Sequence, residues 1–282
     1  MSQISDTLTD LHQRFKPVSD TPLLDTQVLV AFVLGQTRSW LLAHQEFELS
    51  TAQIKIINQY TDRIVSGEPL PYILGKWEFY GLEFKITPDT LIPRPETEIL
   101  VEHALAFCKS KTGEILIIDA GTGSGCIAVS LAVHLPGAAE TILAGDISLP
   151  ALLIAQENAR KHNVKKRILF LQADLIPPLV ENIDLLCANL PYIPSSRLPA
   201  AKPSRREPEL ALNGGRDGLA LVSRILKDST GRISRGGLIL LEIDPDSGRS
   251  VLALAREYYP DAQIKLVPDL AGHDRMLRIL LQ

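Results

Sequence analysis

The strongest constraint on this chain is a single passage. An apolar run, Ile115-Leu116-Ile117-Ile118, leads through Asp119-Ala120-Gly121-Thr122-Gly123-Ser124-Gly125 directly into Cys126-Ile127-Ala128-Val129-Ser130-Leu131. A buried strand that turns sharply through alternating glycines into a helix is the opening unit of an α/β sheet, and the missing Cβ atoms let a ligand approach the backbone. The spacing G-x-G-x-G lacks the lysine and hydroxyl of a phosphate-gripping loop and is shifted from the G-x-G-x-x-G that seats a pyrophosphate. The same alternation continues downstream. Strands are expected at 115–119, 141–146, 168–172, 183–188 and 238–243 with helices between them, and two late strands near 264–267 and 275–281 are expected to pair antiparallel at an edge. That is the pattern of a doubly wound α/β sheet.

The strand ends carry the chemistry. Asp146 closes the second strand, 25 residues after Gly121, where a carboxylate accepts hydrogen bonds from both hydroxyls of a ribose. The plainer role for Asp146, or for neighbouring Ser148, is to cap the helix that starts near Leu149. A further acid, Asp174, followed by Leu175, closes the third strand. A glycine loop with two acids at successive strand ends describes an adenosine pocket better than a dinucleotide one.

The fourth strand ends in Asn189-Leu190-Pro191-Tyr192. An amide or aromatic amine nitrogen is a poor nucleophile because its lone pair is delocalised. A site that alkylates such a nitrogen needs two acceptors for its two N–H groups, so that the remaining face is turned to the donor. Asn189 offers a side-chain carbonyl, and Leu190 offers a backbone carbonyl next to Pro191, which has no N–H. Tyr192 offers a ring to pack on a planar group or to face a sulfonium cation. An asparagine and a proline also simply end strands.

These residues, together with Gly67-Glu68-Pro69-Leu70-Pro71-Tyr72-Ile73-Leu74-Gly75, Leu91-Ile92-Pro93-Arg94-Pro95-Glu96-Thr97-Glu98, Glu207-Pro208, Ala211-Leu212-Asn213-Gly214-Gly215-Arg216-Asp217-Gly218-Leu219 and Asp269-Leu270-Ala271-Gly272-His273-Asp274-Arg275, make the chain resemble the HemK family, the release-factor glutamine methyltransferases, within the class I S-adenosylmethionine-dependent methyltransferases. The resemblance runs over nearly the whole chain. It implies a Rossmann-like, mostly parallel seven-stranded sheet. It also implies S-adenosyl-L-methionine lying over Gly121, Thr122, Gly123, Ser124 and Gly125, its ribose on Asp146 and its adenine beside Asp174 and Leu175, with Asn189 next to it. The implied substrate is a glutamine side chain in the Gly-Gly-Gln loop of a class I peptide-chain release factor, held by Asn189, Leu190, Pro191 and Tyr192, with no metal. Two places depart from the family pattern: Leu190 stands where a proline is usual, and Asp244-Pro245-Asp246 replaces the usual glycine and glutamine after Glu242-Ile243.

Residues 1 to about 65 show helical spacing, with stripes Leu8, Leu11, Phe15 and Leu24, Val28, Ala31, Phe32. Caps are expected at Asp20-Thr21-Pro22 and Ser50-Thr51, and a stop at Gly35. From Gly67 to Thr90 the pattern changes to Gly, Pro and aromatic residues, with a hairpin expected over 77–86. The chain therefore reads as a helical bundle that recognises the substrate protein at 1–75, a hairpin linker at 76–90 and a methyltransferase domain at 91–282. Residues 1–75 hold five basic and eight acidic side chains in a chain of net charge −4, which disfavours nucleic acid and favours a protein partner.

Cys108, Cys126 and Cys187 form no C-x-x-C pair, the N-terminus lacks a signal-peptide pattern, and the apolar run at 28–34 is too short to span a membrane, so a reduced, cytoplasmic protein is expected. A monomer is expected as well. Arg94 is expected either to face the substrate entrance or to pair with Glu96 or Glu98. Lys161, Lys165, Lys166 and Arg167 read as a solvated helix end, and Lys202, Arg205 and Arg206 as a lid toward an acidic partner. Three alternatives stay open: a glutamine methyltransferase acting on a ribosomal protein, an adenine-N6 nucleic-acid methyltransferase, and a non-catalytic adaptor on the same fold.

Overall fold

The computed structural model describes residues 2–137, 140–178, 180–198 and 206–282. The chain forms two compact units, Met1–Lys76 with Pro199–Arg206, and Trp77–Leu198 with Glu207–Gln282. Lys202 and Arg205 lie outside the described residues. Arg206 belongs to the first unit, where its guanidinium donates to the Ser66 carbonyl at 3.0 Å.

In the first unit β1 (Ser2–Gln3) pairs antiparallel with β2 (Glu48–Leu49) beside α1 (Ile4–Phe15), α2 (Pro22–Leu34), α3 (Arg38–Ala43), α4 (Thr51–Val65) and α5 (Leu70–Leu74). Leu11 and Phe15 of the expected first stripe are buried, joined by Ile4, Leu29, Val30 and Leu41. Each such side chain contributes roughly 1.5–3 kcal/mol by leaving water. On α2 the buried face is Leu29, Val30 and Ala31, whereas Phe32, expected in the stripe, is exposed. This helix is apolar nearly all round, so periodicity does not select its inner face. Gly35, at φ 64°, ends it as expected. Ser50 and Gln53 form a reciprocal capping box at the start of α4, while Thr21 makes no side-chain cap. Residues 67–75, where the sequence pattern changes to Gly, Pro and aromatic residues, include α5, whose Leu70 and Ile73 join this core.

The second unit begins within a hairpin, β3 (Lys76–Phe79) and β4 (Leu82–Lys85), whose turn holds Tyr80 and Gly81 at φ 52° and 71°. It continues through α6 (Thr97–Ser110), β5 (Ile115–Ala120), α7 (Cys126–His134), β6 (Glu140–Asp146), α8 (Leu149–Lys161), β7 (Ile168–Gln172), β8 (Ile183–Ala188), α9 (Ala220–Ser229), β9 (Ile233–Glu242), α10 (Gly248–Tyr258), β10 (Gln263–Pro268) and β11 (Asp274–Leu280). The seven-stranded sheet has the order β10-β11-β9-β8-β5-β6-β7, and only the pairings of β11 are antiparallel.

Strand β9 starts five residues before its expected boundary. Its pairing with β8 jumps from Ile183 opposite Ile233 to Leu185 opposite Leu238, a bulge that Gly236 and Gly237 permit. The chain runs outward from β5 to β7 and then returns to the other side of β5 as β8. The C-terminal ends of β5 and β8 therefore diverge, and that is where ligands bind in open α/β sheets.

Two polar side chains pin this architecture where the sequence shows only a charge or an amide. Asn158 of α8 is fully buried. It accepts from the Lys85 N–H at 2.7 Å and donates to the carbonyls of Lys85 at 3.0 Å and Ser124 at 2.8 Å, so hairpin, helix and glycine loop share one side chain. Arg167, expected to be solvated, instead donates to the carbonyls of Ala132 and Leu135 at the end of α7, where a cation offsets the helix dipole. No helix among the described residues is long and apolar enough to cross a membrane.

Candidate functional site

The glycine loop is fixed to the neighbouring strand before it meets any ligand. The N–H groups of Gly121 and Thr122 both donate to the Gly145 carbonyl at 2.9 Å. Gly121, Gly123 and Gly125 sit at φ 73°, 55° and 80°, a region costly for other residues. Gly125 also has no room: a Cβ there would lie 3.0 Å from that of Ala155, so this glycine lets α7 and α8 approach. Beneath the loop Asp119 is fully buried. One of its oxygens accepts from the Thr122 hydroxyl at 2.6 Å and the Ala128 N–H at 3.1 Å, and burial lifts its carboxyl to about 6.

Above these strand ends lies a cavity of about 630 Å³, lined by Gly121, Thr122, Gly123, Ser124, Asp146, Asp174, Leu175, Asn189, Leu190 and Pro191. Thus most of the residues singled out in the sequence face one space. Asp146 accepts from the Gly123 N–H at 2.8 Å through one oxygen and from the Ser148 N–H at 2.9 Å through the other. Burial raises its pKa, and these bonds oppose the rise. A carboxylate has about four acceptor positions, so two remain for the hydroxyls of a ribose. Ser148 caps α8 itself, accepting from Ala151. Asp174 is paired with Arg224 at 2.8 Å, and both side chains line the cavity. Leu175 holds φ 62°, an uncommon conformation for a bulky residue, and is 7% exposed in the sheet core. The set fits S-adenosylmethionine: carboxylate acceptors for a diol, apolar walls from Ile147 and Leu175 for a purine, and glycine backbone open to the rest.

On the opposite wall Leu190 is 5% exposed, and its side chain packs so closely that a Cβ on Gly121 would come within 3.0 Å of it. The residue that departs from the family pattern therefore joins the core through its side chain. Asn189 donates from Nδ2 to the Thr97 hydroxyl at 3.0 Å. Thr97 donates in turn to Glu242 at 2.6 Å, and the Tyr192 hydroxyl donates to the other oxygen of Glu242 at 3.1 Å. Glu242 is 2% exposed; burial raises its pKa, and Thr97, Tyr192 and the Arg275 guanidinium oppose the rise. Tyr192, its hydroxyl held by Glu242, lies outside the cavity lining.

Arg94 pairs with neither Glu96 nor Glu98. It donates to Glu207 at 2.5 Å, and Glu207, whose side chain is fully buried, also accepts from the Ile92 N–H at 3.0 Å. The physical reason is local geometry: Glu98 is already taken by the Tyr80 N–H at 2.8 Å, and the extended Pro93-Arg94-Pro95 segment turns the guanidinium toward the 207 loop. The divergent loop after β9 is likewise structural. Asp244 caps the short turn at Pro245–Ser247, and Arg197 bridges Asp244 and Asp246.

The sequence assigns no role to Thr97, Glu242, Arg224 or Glu207, although Thr97 and Glu207 stand inside two of the family-like segments. Thr97 reads as the first turn of a helix, and the only sign of Glu242 is an acid inside the apolar run 238–243 at the end of a sheet strand.

Residues 6–75 match the family described as PrmC N-terminal domain, and residues 99–195 match ribosomal protein L11 methyltransferase (PrmA). In fold, the chain is similar to the catalytic domain of hMettl16 in complex with an RNA hairpin, with a TM-score of 0.56, 18% identity, and coverage of 72% of this chain and 76% of that one. It is 37% identical to the release factor glutamine methyltransferase of Coxiella burnetii over 98% of each chain. It is 44% identical to that of Moorella thermoacetica over 91% of this chain and 90% of the relative. With that identity spread over both units, the chain belongs to the release factor glutamine methyltransferases.

Proposed function

We infer that the protein transfers a methyl group from S-adenosyl-L-methionine to the side-chain amide nitrogen of a glutamine in a peptide-chain release factor. The observation that carries the reading is that Asn189, Leu190 and Pro191 line the same cavity as the glycine loop and Asp146. When bound, the cofactor supplies an electrophilic methyl group on a sulfonium. Gly121, Thr122 and Gly123 cradle it, Asp146 takes the ribose hydroxyls, and Leu175 with Asp174 flanks the adenine.

The substrate amide enters with its two N–H groups donating to the Asn189 side-chain oxygen and the Leu190 carbonyl. This grip holds the nitrogen with one face free and directs it along one line of attack. No strong base is needed: once alkylated, the nitrogen carries a positive charge next to a carbonyl and loses its proton readily to water. Orientation of this kind supplies roughly 7–11 kcal/mol of a barrier. The apolar rim formed by Leu91, Pro93, Pro208 and Leu210 keeps water from the amide while it is held.

The N-terminal unit recognises the substrate protein, supported by its excess of acidic side chains and by Leu23, Leu42, Phe47 and Ile56, which are exposed apolar residues on a small bundle. A release factor is met in translation termination, so the protein acts in the cytoplasm. Incubation with methyl-labelled S-adenosylmethionine and, in separate reactions, purified release factor, ribosomal proteins and nucleic acid tests the reading. Label on one glutamine of the release factor is expected; label on a ribosomal protein or on nucleic acid alone would overturn it.

A further inference from the structure

A side-chain amide is nearly symmetric in shape and opposite in chemistry at its two ends. Asn189 grips a substrate amide only if its oxygen, not its NH₂ group, faces the cavity, because an NH₂ group would meet the substrate's own N–H groups donor to donor. Shape alone does not choose between the two settings. The choice has to come from whatever bonds the other end.

That end meets Thr97, and a threonine hydroxyl can either give or take a hydrogen bond. What removes this freedom is Glu242, 145 residues away in sequence. Its carboxylate takes the Thr97 hydrogen at 2.6 Å through one oxygen and the Tyr192 hydrogen at 3.1 Å through the other. With its only hydrogen committed, the Thr97 oxygen can act toward Asn189 only as an acceptor, and Nδ2 lies 3.0 Å from it. The backbone places all four groups: Thr97 begins α6, Asn189 and Tyr192 follow β8, and Glu242 ends β9, the strand paired with β8. Glu242 is buried and is not itself a lining residue of the cavity, whereas Thr97 is.

We propose that Glu242 is a positioning residue that, through Thr97, sets the Asn189 amide with its oxygen toward the cavity, and so makes the site select an N–H-bearing side chain over an acceptor-only one. The inference rests on the amide-methylation reading above. It adds a discrimination that this reading does not require: a release factor whose target glutamine is replaced by glutamate, which has the same shape but accepts only, is rejected because of a buried carboxylate that it never meets.

The test compares Thr97→Val, which keeps the shape and removes the hydroxyl, with Thr97→Ser, which keeps the hydroxyl, on the full chain. Four quantities are read: kcat and KM for release factor, the cofactor Kd by calorimetry, and Ki for the glutamine-to-glutamate release factor as a competitive inhibitor. Wild type is expected to methylate the natural factor and to bind the glutamate form at least about tenfold more weakly, the value of one hydrogen bond of about 1.4 kcal/mol. Thr97→Val is expected to lower kcat about tenfold or more with KM and cofactor Kd within threefold, and to lose most of the discrimination against glutamate. Thr97→Ser recovers most of both.

Equal losses in the two variants, or discrimination unchanged in Thr97→Val, overturn the proposal. If Thr97→Val does not fold, Glu242→Gln is read in the same way, because an amide at 242 can hand Thr97 a hydrogen as well as take one; unchanged kcat and unchanged discrimination there overturn it equally. Failure of the wild type to methylate release factor would instead count against the function reading.

Discussion

The position of the tetrapeptide after β8 is set from behind by a glycine, and this makes Gly214→Ala a quantitative test of catalysis by placement. Gly214 is buried, its N–H donates to the Ile193 carbonyl at 2.9 Å, and an added Cβ would lie 2.7 Å from the Tyr192 Cα and 2.8 Å from the Pro191 carbonyl oxygen. Ordinary contact begins at 3.4 Å, so the backbone beside Pro191 and Tyr192 has to yield by about 0.7 Å. These atoms are backbone, and no rotamer change relieves them.

Overpacking of this size costs about 1–3 kcal/mol of stability. A misplacement of about 1 Å at a reacting group costs on the order of 10²-fold in rate. The displacement is passed to Leu190 and Asn189, the immediate neighbours, while the glycine loop and Asp146 stand on other strands. The expected result is a kcat lowered roughly 10–100-fold, with the cofactor Kd within about threefold, by steady-state methylation of release factor and by calorimetry.

Gly113→Ala is the control. Gly113 is exposed, holds φ 90° with open space around the missing Cβ, and lies at the far end of β5 from the glycine loop. It should lose about 1–2 kcal/mol through its backbone conformation and leave kcat unchanged. If Gly214→Ala is as destabilised as Gly113→Ala by thermal denaturation and yet turns over within threefold of wild type, the sub-ångström placement of the tetrapeptide does not set the rate.

Other outcomes follow from the same geometry. Asn189→Ala should lower kcat on the order of 10²-fold and leave cofactor binding intact, as loss of one preorganised partner of the reacting group does; turnover within a few fold of wild type would remove Asn189 from the amide grip. Asp146→Ala should weaken the cofactor Kd about 10–100-fold, from loss of charged hydrogen bonds worth about 1.5–3 kcal/mol, and an unchanged calorimetric Kd would refute its ribose role.

Asp119 supplies a pH test. Its carboxyl stands at about 6 in the folded chain against an ordinary 3.8, so the folded state retains the proton longer. That contribution to stability is complete below pH 3.8 and is lost as the pH rises to about 6, by about 3 kcal/mol in all. Denaturant unfolding of wild type against Asp119→Asn should show the difference changing across that window and level above it; a constant difference from pH 4 to pH 6 contradicts the assignment.

The parts of the site that were legible in the sequence share one property: each is short and contiguous. The glycine loop, the acid ending β6 and Asn189, Leu190 and Pro191 after β8 declare themselves because one stretch of chain supplies the turn, the strand end and the polar group together, whereas Tyr192, read with them, lies outside the cavity lining. The supporting shell is different in kind. Thr97, Asn189 and Glu242 are separated by 92 and 53 positions, and each taken alone has an ordinary local explanation as a helix start, a strand-ending asparagine or an acid after apolar residues. Their meaning exists only once β8 and β9 are paired and α6 is laid beside them.

Arg94 shows the same limit from the other side. Near neighbours in sequence, Glu96 and Glu98, looked like its partners, but the chain brings Glu207 from 113 positions away and buries it. The α2 stripe failed for another reason: a helix apolar on all sides contains no directional signal. The hairpin was visible, but its attachment was not, because Asn158 looks like any helix-surface amide.

That attachment decides where the chain can be divided. Asn158 bonds Lys85 on one side and Ser124 on the other, so the hairpin is tied through one side chain to the glycine loop. A fragment cut after the hairpin, at residue 91, would keep the Asn158–Ser124 bond but leave the buried amide without the two bonds it makes to Lys85. A fragment beginning at Trp77 keeps all three bonds, and the boundary between the two units falls there, one residue into β3, rather than after the hairpin.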